Sequence, residues 1–190
     1  MDTEETGDRR VFLSSLVGAD YTSWKTDTDL RTLALALFFT QDKKFLLEKA
    51  YPIMKEAALF FDHFLIKDPV SGYLISTPSN SPEQGGLVAG PAMDHQIIRA
   101  LFQNTIQASR LLKKDLVWTA ALENKMKQIA PNTIGRHGQL QEWMEDRDDP
   151  KNKHRHISHL WGMYPGSAIN YDDSPSMMEA AKQSLLFRGD

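Results

Sequence analysis

Three histidines close together in the last quarter of the chain are the first residues to weigh for chemistry. His154, His156 and His159 lie within six residues of one another. They could ligate zinc, but the spacing matches no His-Glu-x-x-His pattern, and Arg155 between two of them would repel a cation. They could also be structural hydrogen-bonding groups in a folded loop, or neutral donors and acceptors lining a pocket for a polyhydroxylated ligand such as a sugar. The spacing disfavours a metal site, so we expect no bound metal, and it leaves the other two interpretations open.

An acidic segment containing one indole precedes these histidines. Residues 141–149 read QEWMEDRDD, and acidic segments usually coat a solvated face of a protein. Glu142 and Trp143 suggest a second use, because an indole ring stacks on the C–H face of a sugar while a neighbouring carboxylate accepts hydrogen bonds from its hydroxyls. We therefore expect Glu142 and Trp143 to bind substrate.

Glu83 is the carboxylate with the most unusual sequence neighbours. Pro82 precedes it and Gln84-Gly85-Gly86 follow it, so the backbone is restrained on one side and free to approach a ligand on the other. Glu83 is either a plain exposed loop residue or a general acid. A general acid needs a pKa raised towards the working pH, which a pocket lined by Trp and His could provide by desolvation.

Apolar residues at spacings of three and four predict the elements that must position these groups. They indicate five amphipathic helices, over residues 27–40, 43–66, 94–113, 115–130 and 175–188. Strand signals are confined to 72–76, and alternating βα units are absent. The expected fold class is therefore all-α, built from antiparallel helix pairs. Two long segments without helical period, 76–93 and 131–173, hold the candidate residues.

Composition excludes several classes of function. The chain has 190 residues, a net charge of −3 and no cysteine, which excludes disulfides, thiolate metal sites and thiol nucleophiles, and makes nucleic acid a poor partner. No apolar run approaches the ~20 residues needed to cross a bilayer, so we expect no membrane association. The N-terminus is acidic and carries no secretion signal as written, which leaves the compartment unknown.

Five segments, in order, resemble one enzyme family. Together they look like glycoside hydrolase family 95, the inverting α-L-fucosidases, and they are residues 51–66, 72–83, 90–102, 134–165 and 179–190. The resemblance implies that residues 45–190 are part of a catalytic (α/α)6 barrel, preceded by a poorly matched segment, 1–44, with one helix. It further implies hydrolysis of α-1,2-linked L-fucose from a fucosylated oligosaccharide or glycan, with some relatives acting on α-L-galactosides. It implies no cofactor, and it suggests a secreted or periplasmic location.

The resemblance also implies roles for particular residues. The Glu of the family's Ser-Pro-Glu motif is the general acid and corresponds to Glu83. The His-Arg-His-x-Ser-His segment lies at the sugar pocket and corresponds to His154, His156 and His159. Many members have Asn after the catalytic Glu, where this chain has Gln84; the change keeps an amide.

The resemblance leaves half of the reaction unaccounted for. An inverting hydrolase needs an acid on one side of the bond and a water activator roughly 6.5–9.5 Å away. The family activates water with a pair of Asn upstream and an Asp downstream, and neither motif occurs in this sequence. We therefore expect a truncated barrel whose isolated chain is inactive. The alternative is a non-catalytic truncated segment that at most binds carbohydrate or a partner.

Overall fold

A computed structural model describes residues 42–82 and 84–189 of the chain. Most of the regular structure is helical. The helices are α1 (Lys43–Phe45), a π-helical turn (Leu46–Ala50), α2 (Tyr51–Phe64), α3 (Ala92–Leu112), α4 (Leu116–Met126), a 3₁₀ turn (Ser158–Leu160) and α5 (Pro175–Arg188). Two antiparallel hairpins complete the elements, β1 (Ile66–Lys67) with β2 (Leu74–Ile75), and β3 (Ser79–Ser81) with β4 (Gln84–Val88).

The helices predicted over 43–66, 94–113 and 175–188 are confirmed with small shifts at their ends. The helix predicted over 115–130 is also present, but it ends at Met126. Its expected last turn is replaced because Ile129 bridges to Leu74 and the amide of Ala130 donates to the Leu74 carbonyl at 3.0 Å. The helix predicted over 27–40 lies outside the described residues.

The prediction that strand is confined to 72–76 is wrong. The β3–β4 hairpin lies within the predicted loop 76–93, where the sequence is polar and rich in glycine. The sequence lacks the alternation of apolar residues that would predict these strands. Hydrogen bonds, and not a buried apolar face, hold the two strands together. Gly85 and Gly86 have φ angles of +84° and +66°, which only glycine adopts without strain.

The described residues divide into two compact units, with the boundary inside α3. The first unit holds residues 42–65 and 98–128. Its core takes one face of each helix, at the three-and-four spacing that the sequence shows; the buried residues include Met54, Ala57, Phe61, Phe102, Ile106 and Leu122. Asp62 near the end of α2 accepts hydrogen bonds from Lys125 at 2.6 Å and from Trp118 at 3.1 Å, which ties α4 to α2.

The second unit holds residues 66–97 and 129–189 and carries the candidate site residues of the described chain. One cluster of its apolar core joins Ala180 and Ala181 of α5 to Leu140, Leu160 and Ile169. Gln96 on α3 fixes the irregular segment after residue 130 by donating to the His159 carbonyl at 2.8 Å and accepting from the Gly162 amide at 2.7 Å. The side chain of Gln96 therefore holds the end of residues 152–159 in place. This stretch, which contains His154, His156 and His159, is called the histidine segment below.

Among residues 42–82 and 84–189, no helix combines the length and the apolar character that a membrane crossing requires.

Candidate active site

The carboxylate of Glu142 is the centre of a buried polar cluster. Its side chain is 2% exposed. Ser81 in β3 donates to Oε1, Gln84 in β4 donates to Oε2 at 3.0 Å, and Arg188 at the end of α5 donates to Oε2 at 2.7 Å. Both strands of the hairpin and the last helix therefore converge on a single side chain.

The backbone of Glu142 is fixed on both sides, which sets the direction of its side chain. Its amide donates to the two carboxylate oxygens of Asp148 at 3.3 and 3.4 Å, and its carbonyl accepts from the amide of Ala92, the first residue of α3, at 3.0 Å. Two residues earlier, Leu140 shares its amide between the Ala180 carbonyl and the Ser184 hydroxyl on α5. The segment thus lies between α3 and α5.

Two buried carboxyl groups of this cluster have raised pKa values. Burial raises the pKa of Glu142, although the Ser81 hydrogen bond and the charge of Arg188 act in the opposite direction. Burial also raises the pKa of Asp148. The Arg188 side chain is only 12% exposed, so its charge acts on Glu142 through a medium of low dielectric constant. Removing one partner of such a pair leaves the other charge buried and unpaired, which is costly.

His159 lies in the same cluster as an uncharged group. Its side chain is 2% exposed, and its Nδ1 lies 3.4 Å from Oε2 of Glu142. Burial, reinforced by the charge of Arg188, lowers the pKa of His159 to about 3, so the ring is neutral at physiological pH. Among the described residues Nδ1 has no hydrogen-bond partner, and the contact with Glu142 is therefore not an ion pair.

His154 and His156 are half-buried, unlike His159. The amide of His156 donates to Nδ1 of His154 at 3.2 Å, and the two ring centroids are 5.3 Å apart. The amide of His154 donates to Oδ1 of Asn152 at 2.8 Å. These contacts hold the two imidazoles side by side at the edge of the cluster.

Glu83 itself lies outside the described residues, but the residues around it in sequence are described. Ser81, two residues before, lies 2.9 Å from the hydroxyl of Ser158 in the histidine segment. Gln84, the next residue, accepts from Nδ2 of Asn152 at 2.9 Å. The hairpin is thus attached to the histidine segment at two points, although about seventy residues separate them in sequence.

Trp143 supports the same hairpin from beside Glu142. Its buried indole makes a cation–π contact with Arg147, whose guanidinium carbon lies 4.6 Å from the ring centroid. A Cβ atom on Gly85 would lie 3.1 Å from Nε1 of the indole, so β4 passes close to the ring. Trp143 also lines a mostly apolar cavity of about 210 Å³, together with Tyr73, Ala92, His95, Ala130, Pro131, Gln141 and Met144 among others.

Comparison with known proteins identifies the family. The model of the glycosyl hydrolase family 95 catalytic domain matches residues 30–190. The chain belongs to this family. It is 35% identical over 163 residues to alpha-L-fucosidase 2 of Arabidopsis thaliana, a match that covers 80% of this chain and 19% of that protein. It is 34% identical over 161 residues to probable alpha-fucosidase A of Aspergillus niger, covering 80% and 20%. The chain therefore spans about one fifth of the length of these relatives.

Sequence reasoning missed several polar residues of the candidate site. Ser81, Ser158 and Arg188 complete the Glu142 cluster, and the first two lie inside the Ser-Pro-Glu and His-Arg-His-x-Ser-His segments already singled out. Asp94 forms a second buried cluster, in which Oδ2 accepts from Ser76 at 2.7 Å and from Ser79 at 2.6 Å. Burial raises the pKa of Asp94 to about 7. At the start of α3 this residue resembles an ordinary first-turn carboxylate, so the sequence offers no signal for its burial.

Over residues 42–82 and 84–189, the His, Asp and Glu side chains form no group of three or more that could hold a metal ion.

Proposed function

We propose that this chain is part of the catalytic domain of an inverting α-L-fucosidase, an (α/α)6 barrel that removes α-1,2-linked L-fucose from glycans. Membership of family 95 supports the glycosidase activity, and the relatives in Arabidopsis thaliana and Aspergillus niger are named as α-fucosidases. Because the chain spans about one fifth of those relatives, the activity is a property of the whole protein. We expect the isolated 190 residues to be inactive, because neither water-activating motif that the resemblance implies occurs in them.

One observation carries the assignment of Glu83 as the general acid. Ser81 and Gln84, on either side of it in sequence, both hydrogen-bond to the buried carboxylate of Glu142. Both are also linked to the histidine segment, through Ser158 and Asn152. A catalytic acid must be held within a fraction of an ångström of its target, and a doubly anchored hairpin is suited to that requirement.

The proposed reaction needs one proton from this chain. The carboxylic acid of Glu83 donates its proton to the glycosidic oxygen as the bond from that oxygen to C1 of fucose breaks, which leaves Glu83 as a carboxylate. A water molecule attacks C1 from the opposite face and gives its proton to a base supplied by another part of the protein. Inversion at C1 releases the β-anomer of fucose.

The remaining candidate residues divide by exposure. His154 and His156 are half-buried and carry ring nitrogens suited to sugar hydroxyls, so we assign them to substrate binding. Trp143 provides an aromatic wall of the adjacent cavity. Glu142 and His159 are buried in the hairpin cluster, and we assign them to its support.

The test compares two substrates in the protein at its natural length. The unmodified protein is expected to release β-fucose from α-1,2-fucosyllactose, detected by NMR before mutarotation. Glu83→Gln is expected to lower kcat on this substrate by roughly 10²–10⁴-fold. It should leave hydrolysis of α-L-fucosyl fluoride much less affected, because fluoride departs without protonation.

Glu179→Gln is the matched control, since this glutamate on α5 is exposed and pairs only with Lys182 among the described residues. Equal losses of both activities in Glu83→Gln would show that Glu83 is not the acid. Release of the α-anomer would contradict the inverting mechanism. Absence of turnover by the unmodified protein would favour a non-catalytic segment that at most binds carbohydrate.

A further inference from the structure

Glu142 receives hydrogen bonds from both strands of the hairpin that carries Glu83. Ser81 donates to Oε1 and Gln84 donates to Oε2, so the two carboxylate oxygens each fix one strand. The attachments lie two residues before Glu83 and one residue after it. Only two residues, Pro82 and Glu83, lie between the two attachment points in sequence.

We propose that Glu142 is a positioning residue for the general acid, holding β3 and β4 in register on either side of Glu83. This inference rests on the proposed function, because it needs Glu83 to be the acid. Arg188 is the counter-charge that lets the carboxylate remain in this buried place. The indole of Trp143 lies close to β4 at Gly85.

The chemistry of the cluster requires a carboxylate at this position. An ionised carboxylate only accepts hydrogen bonds, and four side chains around Glu142 can donate to it: Ser81, Ser158, Gln84 and Arg188. A glutamine offers an oxygen on one side only, and the amide NH₂ must then face one of these donors. Ser81 in β3 and Gln84 in β4 donate to different oxygens of Glu142, so a glutamine cannot accept from both, and the attachment of one strand should weaken.

A packing role and a positioning role of Glu142 predict different effects on activity. A packing role would lower the folded fraction and reduce every activity by the same factor. A positioning role moves the proton donor relative to the glycosidic oxygen, and a displacement of about 1 Å can cost about 10²-fold in rate. Only the substrate that needs the proton would then be affected.

The experiment measures kcat and KM of Glu142→Gln on α-1,2-fucosyllactose and on α-L-fucosyl fluoride, using the protein at its natural length. We expect kcat on the oligosaccharide to fall roughly 10- to 100-fold, with KM little changed. Hydrolysis of the fluoride should stay within about threefold of the unmodified protein. Glu145→Gln is the matched control in the same segment, because Glu145 is 80% exposed, and it should change neither activity.

A double variant keeps the test valid if Glu142→Gln folds poorly. Glu142→Gln combined with Arg188→Met removes both charges together, and loss of a complete buried pair often costs little stability. It should show the same difference between the two substrates. Equal losses on both substrates in the folded double variant, or no loss on either, would overturn the positioning role.

Hydrogen exchange separates failure of this inference from failure of the proposed function. Backbone amides of β3 and β4, residues 79–81 and 84–88, should exchange faster in Glu142→Gln than in Glu145→Gln, whether or not the protein hydrolyses a fucoside. Unchanged exchange there would refute the anchoring of the hairpin. If exchange rises but the unmodified protein releases fucose from neither substrate, the fucosidase proposal fails while the anchoring stands.

Discussion

Replacing Asp94 by Asn should remove a loss of stability that the unmodified protein undergoes as pH rises. Burial raises the pKa of Asp94 from 3.8 to about 7, with Ser76 and Ser79 as its hydrogen-bond donors. Between these two values the folded protein keeps the proton and the unfolded chain releases it. Because the folded state then binds more protons, the free energy of unfolding falls as pH rises from about 4 to about 7, and levels off above that.

The two pKa values set the size of the effect. A difference of about 3 pH units at ~1.4 kcal/mol each corresponds to about 4 kcal/mol. Asparagine retains an oxygen that accepts from the two serines but has no proton to lose over this range. The stability of the unmodified protein relative to Asp94→Asn should therefore decline by about 4 kcal/mol between pH 4 and pH 8.

The assay is urea unfolding of both proteins at several pH values between 4 and 8, and the quantity of interest is the difference between them. The difference is needed because other groups titrate too. His159, with a folded pKa of about 3, contributes in the opposite direction, since stability rises as pH increases through the range from about 3 to 6.5. Asp172→Asn, at an exposed position, controls for the loss of a charge alone. A difference between the unmodified protein and Asp94→Asn that stays flat across this range would refute the reasoning.

Two further substitutions test contacts in the separate units. Gly85→Ala should lower the free energy of unfolding by about 1–2 kcal/mol from its positive φ alone. The loss should exceed that of Gly86→Ala, because only the Cβ at position 85 would meet Trp143. Equal urea midpoints for the two variants would contradict this contact. Asp62→Ala should cost about 1–3 kcal/mol, since it leaves Lys125 without the carboxylate 2.6 Å away, and an unchanged midpoint would show that the pair adds nothing.

The sequence predicted the helices well where no tertiary contact opposed the local helical preference. The face of α2 through Met54, Ala57 and Phe61 is buried as the three-and-four pattern indicates. The end of α4 was misplaced because pairing of Ile129 with Leu74, a tertiary contact, overrides local helical preference. The barrel remains a prediction.

The candidate site was predicted in part. Types and spacing drew attention to the segments of Glu83, Glu142 and the histidines, and the described parts of these segments do come together. The spacing of residues in the sequence does not reveal their exposure. Glu142 and His159 were therefore predicted to contact substrate, as His154 was, although their side chains are buried. A serine such as Ser81 becomes informative only once its partner is known, and here the partner is 61 residues away.

The composition of the Glu142 cluster also governs when it can form during synthesis. Ser81 precedes Glu142 by 61 residues, and Arg188 follows it by 46. At roughly 5–20 residues per second, about 5–20 seconds pass on the ribosome between the hairpin and the last helix. An isolated two-stranded hairpin is marginally stable in water, so β3 and β4 lack their full anchorage throughout that interval. The anchorage of this hairpin is thus complete only after Arg188 has been translated.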